Sequence, residues 1–115
     1  MSDFKIYHNP RCQKSRLTLE LIRSKGVEPE IVEYLKSVPT TKELALILAK
    51  LHLKPTDILR TGEHLFKEKF KGMKFTDDEW IQIMHENPVL IERPIVLKGN
   101  RGVIGRPPEK VLNLF

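Results

Sequence analysis

Apolar and polar positions along the chain change period several times. Phe4-Lys5-Ile6-Tyr7-His8 is short and rich in β-forming residues, which predicts a strand. From Gln13 to Lys25 the period lengthens to that of a helix. Leu17, Leu21 and Ile22 share one face of it, and Gly26 stands where a helix-ending glycine is expected. Glu30-Ile31-Val32-Glu33-Tyr34 predicts a second strand. A strand–helix–strand unit of this size predicts two parallel strands with a right-handed crossover.

A helical middle follows. Thr40 and Glu43 are spaced as a capping box, with Leu44, Ile47, Leu48 and Leu51 at helical spacing behind them. Pro55 opens a short helix through Ile58 and Leu59 to Arg60. Residues 64–72 are lysine-rich and predict a solvated helix or loop. Thr76 and Glu79 form a second capping box, and Phe75 and Trp80 are placed to staple it. That helix runs to about His85 and stops before Asn87-Pro88.

The pattern then returns to strands. Pro94-Ile95-Val96-Leu97, the turn Lys98-Gly99-Asn100 and Gly102-Val103-Ile104 predict a hairpin. Pro107-Pro108-Glu109 opens a last short helix with Val111, Leu112 and Leu114 as its apolar residues. The order βαβ, helices, ββα predicts a mixed α/β fold with a four-stranded mixed sheet. The expectation is one domain over residues 1–115, with a helical insertion at about 40–90.

Composition adds limits. The 115 residues suit one domain, and 40% hydrophobic content can supply its core. The net charge of +5 serves solubility or an anion site; the basic residues are too dispersed for a nucleic-acid surface. One cysteine excludes an internal disulfide, and four histidines without ligand spacing argue against a metal site. No apolar stretch is long enough to span a bilayer, so the expected compartment is the cytoplasm, where a lone thiol stays reduced.

That lone cysteine lies in His8-Asn9-Pro10-Arg11-Cys12-Gln13-Lys14-Ser15, at a strand-to-helix turn. The first amides of a helix lack intrahelical acceptors and carry positive potential, which favours a thiolate and can hold an anion. Arg11, Lys14 and Arg16 add charge. His8 either donates to the sulfur or ends the strand; Ser15 either hydrogen-bonds the sulfur or caps the helix. A cysteine phosphatase would need arginine at position 18, where Thr18 stands. Thiol redox chemistry remains. With Ser15 in place of a second cysteine, an outside thiol must resolve any mixed disulfide.

The octapeptide resembles the His-Asn-Pro-x-Cys-x-x-Ser signature of the glutaredoxin-coupled arsenate reductase (ArsC) family, and the likeness runs over essentially the whole chain. The family's three distant arginines fall on Arg60, Arg93 and Arg106. The resemblance implies a thioredoxin-like fold with a helical insertion, and Pro94 as a candidate cis proline facing the cysteine. It implies a Cys12 thiolate that attacks arsenate, His8 and Ser15 as its stabilisers, and three arginines on the oxyanion. Glutathione as co-substrate and glutaredoxin as partner follow from the same resemblance, with no bound cofactor, metal, nucleic acid or membrane. Two other readings of the motif stay open: an Spx-like regulator that binds RNA polymerase, and a monothiol glutaredoxin-like protein.

Overall fold

The computed structural model describes residues 3–115. The chain separates into two compact units. One comprises the chain up to Ser37 together with Arg93–Phe115, and the other Val38–Glu92.

The first unit carries the sheet. Strands β1 (Phe4–His8), β2 (Glu30–Glu33), β3 (Ile95–Lys98) and β4 (Arg101–Ile104) lie in the order β2-β1-β3-β4. β1 and β2 are parallel; β1/β3 and β3/β4 are antiparallel. This is the mixed sheet that the strand–helix–strand and hairpin patterns predict. β4 starts one residue earlier than Gly102, because Gly99 at φ +60° closes a two-residue turn that pairs Lys98 with Arg101.

Helix α1 (Gln13–Ser24) joins β1 to β2 and ends with Gly26 at φ +79°, its N–H donating to the Arg23 carbonyl. Its buried face differs from the apolar face that periodicity suggests. Ser15, Thr18, Leu19 and Ile22 are buried, while Leu17 is 41% exposed. The reason is polar. Ser15 and Thr18 have hydrogen-bond partners inside the fold, so the helix turns them inward, and Leu17 is carried outward with the opposite face. The chain closes with a 3₁₀ segment, Pro108–Leu114, that buries Val111 and Leu114 and leaves Leu112 exposed. A 3₁₀ turn eclipses positions three apart, and 111 and 114 are such a pair. Phe4, Ile6, Leu19, Ile22, Val96, Val111 and Leu114 form the core of this unit. Each fully buried aliphatic side chain there contributes roughly 1.5–3 kcal/mol.

The second unit is helical: α2 (Thr41–Leu51), α3 (His64–Lys69) and α4 (Asp77–Glu86), with 3₁₀ turns at Pro55–Ile58 and Pro88–Leu90. Both capping boxes form, at Thr40/Glu43 and Thr76/Glu79. Leu44, Ile47, Leu48 and Leu51 are the buried face of α2. The Phe75 ring stands edge-on to Trp80 at 4.9 Å, stapling α4. α3 buries no residue, in keeping with its lysine-rich sequence. Among the described residues, no helix is long and apolar enough to cross a membrane.

Candidate functional site

The sheet register explains why the cysteine loop and the hairpin meet. β1 runs antiparallel to β3 with Tyr7 opposite Ile95, so the chain leaves β1 for the cysteine loop at the end where it enters β3. At the same end β4 leaves the sheet. Ile95 pairs with Ile104, and the Gly105 N–H donates to the Pro94 carbonyl. The two Arg-Pro steps of the sequence, Arg93-Pro94 and Arg106-Pro107, therefore stand side by side. Both peptide bonds are cis.

The loop itself is a short hydrogen-bonded turn. The Asn9 Oδ1 accepts from the Arg11 N–H at 3.0 Å, and the Asn9 carbonyl accepts from the Cys12 N–H at 3.0 Å. The Arg16 guanidinium donates to the Pro10 carbonyl at 2.9 Å. Cys12 is the N-cap of α1, with extended φ/ψ, and its carbonyl accepts the first helical bond from Arg16. Its side chain caps no amide, which leaves the half-buried sulfur available.

His8 and Ser15, expected beside the sulfur, bond to one another. The Ser15 Oγ and His8 Nδ1 are 2.6 Å apart, and the same Oγ accepts from the Asn9 N–H at 3.1 Å. Ser15 is fully buried under the loop, and its hydroxyl ties the end of β1 to the first turn of α1. Burial pushes the His8 pKa below its ordinary value of 6.5; Glu33 opposes the shift, and Arg23 and Arg16 reinforce it.

The group at the sulfur comes from the far end of the chain. Arg106 Nη1 lies 4.0 Å from Cys12 Sγ and donates to the Arg93 carbonyl at 3.3 Å. The first unit thus brings together Cys12, His8, Ser15, Pro94, Arg106 and the backbone of Arg93. Arg60 belongs to the other unit. There Ile58–Arg60 runs antiparallel to Leu90–Glu92, with N–H to carbonyl bonds from Arg60 to Leu90 and from Glu92 to Ile58, both at 2.8 Å. The Arg60 guanidinium is held between two carboxylates, Glu63 at 3.1 Å and Glu92 at 3.0 Å.

Two features of the structure escape a reading of the sequence. One is the clasp of Glu63 and Glu92 on Arg60. The other is the close packing of Thr18 and Gly105. Thr18 is fully buried, its hydroxyl donates to the Lys14 carbonyl at 2.7 Å, and it lies 3.4 Å from the Gly105 carbonyl. A Cβ on Gly105 would stand 2.5 Å from Thr18 Oγ1 and 2.9 Å from Pro94 Cγ. The repeated Arg-Pro pair is the one sequence signal that points to this corner.

A positively charged fork beside a free sulfur at a helix start can receive an oxyanion and present it to a nucleophile. Comparison with known proteins agrees in kind. The sequence model of the ArsC family matches residues 7–114. An uncharacterized protein of Escherichia coli K12, YfgD, is 44% identical over 96% of this chain and 94% of its own. The arsenate reductase of the same organism is 42% identical over 100% of this chain and 82% of its own. The solved structure of arsenate reductase from Vibrio cholerae superposes with a TM-score of 0.93 at 39% identity, covering 97% of each chain.

Proposed function

The chain belongs to the ArsC family and has its thioredoxin-like fold, and on that premise we propose that it is an arsenate reductase with Cys12 as its single nucleophile. The Cys12 thiolate attacks the arsenic of arsenate. A sulfur–arsenic bond forms, and a protonated arsenate oxygen leaves as water. Arg106 and Arg93 bind the remaining oxygens and offset their charge during attack. The resemblance assigns Arg60 to the same oxyanion, and Arg60→Ala tests that assignment by itself.

Glutathione supplies the first external electron pair. Its thiolate attacks Cys12 sulfur, a mixed disulfide forms, and the sulfur–arsenic bond pair stays on arsenic. Arsenic(V) becomes arsenic(III) and leaves as arsenite. Glutaredoxin then takes the glutathionyl group by thiol–disulfide exchange and restores Cys12. Ser15, where a second cysteine would resolve such a disulfide internally, makes the outside thiols necessary. His8 and Ser15 act on the sulfur through the loop that their hydrogen bond secures. The reaction needs a reduced thiol pool, which puts the protein in the cytoplasm on this reading.

The single observation that carries the reading is the Arg106 guanidinium 4.0 Å from Cys12 Sγ, inside a chain of this family. The test is arsenate reduction coupled to glutathione and glutaredoxin, with wild type beside Cys12→Ser. Wild-type turnover and none in Cys12→Ser is the expected result. Turnover that survives Cys12→Ser would remove the mechanism.

A further inference from the structure

A cavity of about 190 Å³ opens beside the cysteine loop in the sheet-bearing unit. The parallel ladder explains why it exists. His8 and Glu33 are the last paired residues of β1 and β2. Beyond them the two chains leave the sheet at the same end. One enters the cysteine loop. The other folds into a turn in which the Lys36 and Ser37 N–H groups both donate to the Glu33 carbonyl, at 2.9 and 2.8 Å. Both walls are hydrogen-bonded turns, so the cavity is preformed.

Its lining has a definite chemical character. Arg11 and Lys36 supply two cations, Glu33 one carboxylate, and Pro10 and Leu35 an apolar surface. Leu35 is 43% exposed, a large apolar side chain held in the open by its turn. Lys36 and Glu33 are paired only loosely, at 3.8 Å, with side chains 81% and 45% exposed. Such a pair contributes little and yields readily to an incoming charge. The Arg11 backbone is fixed by Asn9, and Arg11 immediately precedes Cys12. A tetrahedral oxyanion gains nothing from a carboxylate and a leucine. A small peptide with two carboxylates, one ammonium and an aliphatic backbone matches all of them.

We infer that this cavity seats the peptide thiol that resolves the Cys12 adduct. Arg11 and Lys36 take its carboxylates, Glu33 takes its ammonium, and Leu35 and Pro10 pack against its backbone. The inference rests on the glutathione-dependent reading above and adds the place where glutathione binds. The cavity is smaller than the roughly 300–1,000 Å³ of pockets that enclose a ligand. It therefore holds part of a tripeptide, as suits a co-substrate that departs each cycle.

The test uses the full-length protein and varies glutathione at saturating arsenate and glutaredoxin. Lys36→Glu lies on an exposed turn side chain and leaves the fold intact. It should raise the KM for glutathione about 3–10-fold, as expected for one exposed ion pair reversed, while the KM for arsenate stays put. An unchanged glutathione KM would overturn the site and leave the reductase reading standing. A second measurement is independent of turnover. In a titration of wild type with S-methylglutathione, which cannot react, amide shifts should gather at residues 8–11 and 33–36. Shifts elsewhere, or none at these residues, would sink the assignment. If wild type fails to reduce arsenate with glutathione, the reductase reading falls, and the titration alone decides whether the cavity binds the tripeptide.

Discussion

Arg106 Nη1 reaches within 4.0 Å of Cys12 Sγ across 94 positions of sequence. The Arg93 carbonyl holds the same nitrogen at 3.3 Å, so the guanidinium is aimed before any substrate arrives. On the proposed mechanism this fork meets the charge that develops as sulfur attacks arsenate. Arg106→Ala should lower kcat/KM for arsenate about 10²-fold, the usual cost of one preorganised donor to an oxyanion. Arg106→Lys keeps the charge but lacks the planar fork, and should recover only part of the loss. Steady-state kinetics with arsenate varied decides it; activity equal to wild type in Arg106→Ala would take this residue out of the site.

Gly105 is where a side chain cannot fit. Its missing Cβ is what lets β4 pass Thr18 and Pro94 and deliver Arg106 to the loop. Gly105→Ala should cost about 1–3 kcal/mol of stability, the range for overpacking a filled site. Adding Thr18→Ala removes the two Thr18 contacts and leaves the one with Pro94, so the double variant should recover part of that cost beyond what the singles add up to. Urea denaturation of the four proteins in this cycle gives the coupling. Strict additivity would mean that the two positions do not press on one another.

The Ser15 hydroxyl serves two partners, the buried His8 Nδ1 and the half-buried Asn9 N–H. Ser15→Ala leaves both without it, and about 1–3 kcal/mol of stability should be lost. The loss should also appear as faster amide exchange at Asn9, since the loop loses its tie to α1. Exchange at Asn9 equal to that of wild type would contradict this account.

Burial of His8 makes stability depend on pH, and the sign follows from the lowered pKa. Below the ordinary value of 6.5, the unfolded chain binds a proton at His8 that the folded chain resists. The unfolded state then holds more protons, so stability falls as pH falls. The contribution is whole above the unfolded pKa and is lost as pH drops through the folded one. Stability of His8→Gln, measured by denaturant between pH 7.5 and 5, should fall less steeply than that of wild type. Parallel slopes would show that His8 does not carry the effect.

Thr76 accepts from the Glu79 N–H at 3.2 Å while Glu79 accepts from the Thr76 N–H at 2.8 Å. Thr76→Ala removes one half of this box and should destabilise the chain by about 1 kcal/mol. The fluorescence of Trp80, whose ring meets Phe75 edge-on, reports the unfolding midpoint directly. A midpoint within error of wild type would mean that the cap contributes nothing here.

Local physics was legible in the sequence. Both capping boxes, the Phe75–Trp80 staple, the apolar face of α2, the glycine after α1 and the four strand segments each depend on residues a few positions apart. The octapeptide around Cys12 also carried its family in its own letters. Tertiary structure decided the rest, because the deciding partners are distant in sequence. Leu17 was placed outward by the buried bonds of Ser15 and Thr18, against the plain apolar periodicity. Glu92 reached Arg60 through a short antiparallel pairing that no local pattern announces. Ser15 found His8 rather than the sulfur because β1 and α1 enclose it. What stands beside Cys12 is an arginine delivered by the β-hairpin, made possible by the absence of a single Cβ at Gly105.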